Sequence, residues 1–301
     1  MKVFVFADNN WSIGRVHHDI ARNLPDIEFT FEDWRIYDRK NVIRKFNECD
    51  VCMAGILCVE FFKWCFPEFD HKKCLFISHG LEFNVNEHLD SSHLTYGITS
   101  SSVRHFFPTD SKVFSTPNGV DPVKFNFKNR DGSINKIGWC GSPHIKSKQA
   151  NWAIKITSIA NIPFSFSSKV PCEDDLSKWE PLTYEEVLAW YDTIDLLLVT
   201  AKISSGSETG PLPAFEAIVS GIPVVGTPVG NFADVPGPKF STIEEGIEIV
   251  NQLKSNPEQM KALAKDQYEY VMKNNTYQSF AHKWREALEY VYSQKTRFTY
   301  D

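Results

Sequence analysis

The sequence predicts an α/β protein made of two parallel-sheet domains, and three observations carry that expectation. Short apolar runs suited to buried strands alternate along the chain with segments of helical spacing. Polar residues gather just after those runs, at Asp8 to Gly14, Ser78-His79-Gly80, Thr99-Ser100 and Asn118-Gly119. The carboxyl ends of strands are where open α/β sheets bind ligands. Finally, a loop-like stretch from Asn118 to Arg130 separates one alternating series from another.

Lys2 to Ala7 reads as the first strand, Asp8 to Gly14 as a loop and Arg15 to Leu24 as a helix. Ile27 to Trp34 is a second strand, Lys40 to Asn47 a helix, and Val51 to Leu57 a third strand. Cys74 to Ser78, Leu94 to Thr99 and Val113 to Ser115 complete the first series. The boundary is set near residue 119, giving domains of 1–118 and 119–278. In the second series Ile134 to Cys140 reads as a strand, Lys148 to Ala160 as a helix and Pro163 to Ser167 as a strand. Thr183-Tyr184-Glu185-Glu186 is a capping box opening a helix to Thr193, and Leu196 to Thr200 is a strand. Val224-Val225 is another. Thr242-Ile243-Glu244-Glu245 is a second capping box, and Asn256-Pro257 puts proline at a first helical position. The remainder is helical with a break near Asn274-Asn275-Thr276.

Composition narrows the function classes. The 301 residues are 42% hydrophobic and 14% aromatic, enough for two packed cores. The net charge of −6 divides evenly, since residues 1–118 hold 13 Lys/Arg against 16 Asp/Glu and the rest 19 against 22. Neither half is a basic module, which argues against sequence-independent nucleic-acid binding. The first residues turn polar too soon for a signal peptide, and no run approaches ~18 apolar residues, so a cytoplasmic protein is expected. Seven cysteines without a small secreted framework imply free thiols. Cys49-Asp50-Val51-Cys52 has C-x-x-C spacing, but without a second such pair it reads as buried thiols rather than zinc or redox chemistry.

The stretch on which the chain is organised is Ser207-Glu208-Thr209-Gly210-Pro211-Leu212-Pro213-Ala214-Phe215-Glu216, running on to Gly221 and Val225. It reads as loop, helix, strand. The turn places Glu208 and free backbone N–H groups at a helix N-terminus, where orphan donors and the helix dipole favour an anion such as phosphate. Glu216 lies one to two turns further in, where a carboxylate can accept two hydrogen bonds from a vicinal diol. The competing expectation is a pair of first-turn glutamates that merely complement the dipole.

Glu208 to Glu216 reproduces an E-x7-E signature, and with it the stretch resembles retaining glycosyltransferases of the GT-B fold, in particular the GT4 family (glycosyl transferase group 1). Ile77-Ser78-His79-Gly80, Thr99-Ser100, Thr116-Pro117-Asn118-Gly119-Val120-Asp121 and Ile194-Asp195 before Leu196 to Val199 match in the family's order. The resemblance implies two Rossmann-like domains facing a central cleft, an acceptor domain at 1–118 and a nucleotide-sugar donor domain at 119–278. It also implies that a final helix of about 279–301 packs back on the first domain.

The resemblance assigns Glu216 to ribose hydroxyls, Glu208 to donor-sugar hydroxyls, and the backbone of Thr209, Gly210, Pro211 and Leu212 to sugar and phosphates. His79 falls beside the donor sugar, Asn118 in a matching donor-side motif, and Gly14 where a glycine-rich loop meets the diphosphate, although the usual Gly-Gly pair is absent. A cationic pair is implied after Ile137 to Cys140. There Trp139 occupies the arginine position, and Lys148, with Lys146 as the near alternative, matches the lysine. His17, His18 and Asp19 are read as a surface helix, not a metal cluster. Glu173-Asp174-Asp175 is read as a solvated turn rather than a metal-binding D-x-D.

The implied chemistry is retaining, metal-independent transfer of a hexose from a nucleotide-diphosphate sugar, UDP-sugar first, to a hydroxyl acceptor. No separate cofactor is expected. The partners are the nucleotide sugar and a carbohydrate or other hydroxyl acceptor. The basic residues Arg35, Arg39, Lys40, Arg44 and Lys45 leave two further partners open, modified DNA and an anionic membrane surface, beside a solvated face. A non-catalytic nucleotide-sugar-binding protein is the rival from another class, raised by Trp139. A dinucleotide-dependent oxidoreductase is disfavoured because the first strand–helix turn lacks G-x-G-x-x-G.

Overall fold

The computed structural model describes residues 1–8, 12–80, 94–168, 179–180, 182–203 and 208–297. Contacts divide the chain into two units, Met1–Gly119 with Tyr277–Asp301, and Val120–Thr276.

In the first unit, six parallel strands lie in the order β2-β1-β3-β4-β5-β6. They are β1 (Lys2–Ala7), β2 (Glu28–Asp33), β3 (Val51–Gly55), β4 (Cys74–Ser78), β5 (Thr95–Ile98) and β6 (Lys112–Ser115). The apolar run of β4 is buried along its whole length, as expected of a parallel strand covered on both faces. α1 (Ser12–Arg22) follows β1, and α2 (Arg39–Glu48) starts where Asp38 accepts a hydrogen bond from the Asn41 N–H at 2.8 Å. α3 (Cys58–Cys65) is a helix that the sequence pattern did not announce. Half of its residues are aromatic or β-branched, and no side chain caps its start. Burial of Val59 and Phe62 against an aromatic cluster holds it instead, with Phe62 edge-on to Phe69 at 5.2 Å and Phe69 stacked on Phe46 at 3.7 Å. The last helix, Tyr277–Arg297, belongs to this unit. Its Trp284 is fully buried and donates from Nε1 to the Pro117 carbonyl at 3.1 Å.

In the second unit, five parallel strands lie in the order β11-β10-β7-β8-β9. They are β7 (Ile137–Cys140), β8 (Phe164–Ser167), β9 (Trp179–Glu180), β10 (Leu196–Val199) and β11 (Val224–Gly226). The chain moves outward from β7 to β9 and then returns to the other side of β7, so the order reverses between β7 and β10. That is a topological switch point, where the crevice of an open α/β sheet lies. Both capping boxes form. The Glu186 carboxylate accepts from the Thr183 N–H at 2.7 Å, and the Glu245 carboxylate from the Thr242 N–H at 3.3 Å. Pro257 occupies the first turn of the Pro257–Asn274 helix, capped by Asn256.

One expected helix is corrected. The segment read as helical from Lys148 starts only at Ala150. Lys146–Lys148 forms a separate 3-10 turn, and Gln149 sits in the left-handed region at φ 48° and ψ 46°, which breaks the regular hydrogen-bond ladder. The Glu173-Asp174-Asp175 turn lies outside the described residues.

Candidate functional site

In the second unit two of the expected site residues, Lys148 and Glu208, meet at the β7–β10 switch point. Lys148 Nζ pairs with Glu208 Oε2 at 2.8 Å, the lysine side chain 29% and the glutamate 15% exposed. Together with Trp139, Cys140, Thr200 and Pro211 they line one pocket. Trp139, the residue at the arginine position, is buried, and its Nε1 donates to Thr200 Oγ1 at 3.0 Å. Lys146 is exposed, so the structure separates the two candidate lysines and puts Lys148 at the pocket.

The helix carrying the central motif runs Leu212–Val219 with Pro211 as its N-cap. Of residues 210–213 only Gly210 and Leu212 carry a backbone N–H, because Pro211 and Pro213 have none. The expected set of free donors at this helix start is therefore narrowed to fewer groups. The loop before the helix is fixed. The Asn231 N–H donates to the Thr209 carbonyl at 3.0 Å, and Gly230, at φ 47°, passes so close that a Cβ there would lie 2.1 Å from the same oxygen.

Glu216, the fifth residue of this helix, is buried, and its Oε2 accepts a hydrogen bond from the Tyr191 hydroxyl at 2.9 Å. It is not among the residues lining the pocket that holds Glu208. The two glutamates of the motif therefore stand in different surroundings, one facing a cation and the other fixed by a phenol.

In the first unit the site residues form a neutral chain of hydrogen bonds. His79 lies just past the end of β4, with Nδ1 3.1 Å from Asn118 Oδ1 and Nε2 3.1 Å from His17 Nε2. An amide oxygen only accepts, so the His79 proton sits on Nδ1, its Nε2 accepts, and His17 donates from Nε2. That leaves His17 Nδ1 as a bare lone pair, and it is the buried ring atom without a hydrogen-bond partner. Burial holds the His79 pKa down to about 4, against a smaller upward push from the Asn118 bond. Burial and the neighbouring His79 and His18 hold His17 well below the usual histidine value. Both rings are neutral at pH 7.

This corrects the surface-helix expectation for residues 17–19. His17 and Asp19 are buried, and His18, stacked on Phe31 at 4.0 Å, is the exposed one. Gly14 is likewise buried in the first turn of α1, rather than placed in a loop. A signal for His17 existed, since Gly14, His17 and Ile20 recur at a spacing of three on one helix face. Tyr191 and Thr200, also missed, carry no local pattern that distinguishes them from core residues.

The remaining groups are accounted for locally. Cys49 and Cys52 are free, buried thiols, and burial pushes Cys49 up to about 12 and Cys52 well above its usual value, which favours the protonated thiol at neutral pH. The basic stripe is largely neutralised within the unit. Arg35 pairs with Asp8 at 2.8 Å, Arg39 with Glu68 at 2.9 Å, Arg44 with Glu48 at 2.8 Å, and Lys45 with Glu32. Among the described residues no helix is long and apolar enough to cross a membrane.

The sequence matches no protein-family model and no curated protein. Solved structures do share its architecture. A sucrose-phosphate synthase from Thermosynechococcus elongatus superposes with a TM-score of 0.72 at 10% identity, over 98% of this chain and 100% of that one. HepE from Anabaena, in complex with UDP and glucose, gives 0.68 at 13% identity, over 96% and 100% of the two chains. An alpha-glucosyltransferase in complex with UDP and a DNA containing a HMU base gives 0.66 at 11% identity, over 97% and 99%. The fold is GT-B. At such identities the likeness concerns the fold alone, and within the GT-B fold the Lys148–Glu208 pocket lies in the second of the two sheets' units.

Proposed function

We propose that the chain is a glycosyltransferase of the GT4 kind, transferring a hexose from a nucleotide-diphosphate sugar, UDP-sugar first, to a hydroxyl acceptor with retention and without a metal. The observation that carries this is the Lys148–Glu208 ion pair at 2.8 Å in a switch-point pocket of a GT-B fold. Structural neighbours solved with UDP support the choice of nucleotide.

In this reading Lys148 and the backbone N–H groups of Gly210 and Leu212 meet the charge of the diphosphate, the electrostatic help a departing anion needs. Glu208 takes hydroxyls of the donor sugar, and Glu216, oriented by Tyr191, takes the ribose diol. The bond from the anomeric carbon to the phosphate oxygen breaks as the acceptor oxygen bonds to the same face. The acceptor proton passes to the leaving phosphate, so no protein nucleophile is required. His79, engaged by Asn118 and His17, stands as a fixed, neutral ring at the end of β4 within the first unit. The first unit serves the acceptor, the second the donor. The internal pairing of Arg35, Arg39, Arg44 and Lys45 favours neither a DNA partner nor a membrane surface.

The test is a screen of UDP-, GDP- and ADP-sugars for binding and slow hydrolysis with a chelator present. Tight binding of one donor with metal-free release of its diphosphate is expected. Binding without release in the presence of sugar and lipid-linked acceptors would point to the non-catalytic alternative, and no binding of any donor would refute the proposal.

A further inference from the structure

Within the switch-point pocket, Lys148 is the one cationic side chain among the described lining residues. Its backbone is held by an arrangement that a simple packing role leaves unexplained. The buried Trp139 indole donates to Thr200 Oγ1 at 3.0 Å. The Thr200 hydroxyl, only 1% exposed, donates in turn toward the Lys148 and Gln149 carbonyls, each at 3.0 Å. A second clamp joins the same turn, with the Lys202 N–H donating to the Ser147 carbonyl at 2.6 Å. The clamped carbonyls belong to Ser147, Lys148 and Gln149 itself, and the left-handed backbone of Gln149 is disfavoured for a residue with a Cβ and persists only where its surroundings enforce it.

The relay therefore starts on β7, passes through the residue after β10 and ends on the carbonyl of the lysine itself. Two rigid strands set where the Lys148 main chain sits and which way its side chain leaves, toward Glu208. Filling the Trp139 site with any large apolar side chain would satisfy packing alone. It would not need an N–H aimed at Thr200.

We propose that Trp139 and Thr200 are positioning residues that hold the Lys146–Gln149 turn, so that Lys148 presents a single side-chain positive charge to the diphosphate of a nucleotide ligand, which displaces Glu208 as its counter-ion. This rests on the donor-site reading given above. It makes the geometry of one lysine, rather than a pair of cations, the determinant of diphosphate affinity.

The experiment measures UDP affinity by calorimetry for wild type, Thr200→Val, Trp139→Phe and Thr200→Ser, each also in a Lys148→Met background, with thermal unfolding recorded alongside. Losing one link of the relay should weaken UDP binding about tenfold in Thr200→Val and Trp139→Phe. Thr200→Ser, which keeps the hydroxyl, should bind nearly as wild type does. In the Lys148→Met background the same changes should move affinity less than about twofold, while their effect on unfolding temperature persists. If Thr200→Val does not fold, Trp139→Phe and Thr200→Ser give the same comparison. Equal losses in both backgrounds, or unaltered UDP affinity in folded Trp139→Phe, would overturn the inference while leaving the donor-site reading intact. Wild type that binds no nucleoside diphosphate would overturn both.

Discussion

The two units treat their candidate site residues in opposite ways. In the first, His17 and Asn118 are buried and His79 is partly buried, all three uncharged, each ring nitrogen of His79 already engaged, with desolvation pulling both histidines toward neutrality. In the second, Lys148 and Glu208 form an ion pair at a partly exposed pocket, the lysine main chain held by a hydrogen-bond relay rather than by burial. A buried neutral chain fixes shape and resists ionisation, because a charge there would lose its hydration. A half-exposed ion pair does the reverse, since its members can trade each other for a charged ligand at modest cost. The contrast assigns geometry to the first unit and ligand charge to the second.

The largest expected effect follows from the charged side. Glu208→Ala should lower the turnover number for sugar transfer by a factor on the order of 100 to 1,000, the usual loss when one group stabilising the transition state is removed. Steady-state kinetics with the donor found in the screen measures it, and a loss below tenfold would put the functional charge elsewhere. Next comes the buried carboxylate. Glu216→Ala should weaken UDP binding by about 1.5–3 kcal/mol per hydrogen bond lost to the ribose, and Tyr191→Phe by less, about 1 kcal/mol, because it only loosens the carboxylate. Equal effects from the two substitutions would mean that the phenol, not the glutamate, contacts the ligand.

The neutral side is sharpened by pH. The folded pKa of both histidines lies below the unfolded value of about 6.5, so the unfolded chain binds more protons at mildly acid pH. Stability from this source is complete above about pH 6.5 and falls as pH drops toward the His79 folded value of about 4, at up to roughly 1.4 kcal/mol per pH unit for each histidine. Denaturant unfolding between pH 7 and pH 5 should show this slope. His17→Asn should flatten it, and an unchanged slope would mean that other groups carry it. The smallest effect belongs to the surface. Arg44→Ala removes an exposed pair with Glu48 and should cost no more than about 0.5 kcal/mol, with donor turnover unaltered.

How much of this was legible depended on whether the signal was local. The apolar runs at β1, β3 and β4, the Thr183 and Thr242 capping boxes and the proline at residue 257 speak through neighbouring residues, and they formed where the pattern put them. α3 did not announce itself, because Phe61, Phe62 and Trp64 have weak helical preference and only tertiary burial of Val59 and Phe62 decides the matter. The left-handed Gln149 has no sequence signature, since glycine or asparagine is the usual mark of that conformation. Glu208, Glu216 and Lys148 were singled out by the central motif and the resemblance it carries, and the structure brings Lys148 to Glu208 while burying Glu216 beside Tyr191. Their partners were not. Tyr191 lies 25 residues from Glu216 and Thr200 lies 61 from Trp139, and only the fold brings such pairs together.

The central claim, that the Lys148–Glu208 pair is where a nucleoside diphosphate docks, is tested most directly by titrating UDP into Lys148→Met and Glu208→Gln side by side. Lys148→Met should bind UDP at least about tenfold more weakly than wild type, as expected when a charged hydrogen-bond donor is lost. Glu208→Gln should bind UDP as well as wild type or better, its lysine released from a competing carboxylate, while failing to turn over the sugar. Undiminished UDP affinity in Lys148→Met would contradict that claim.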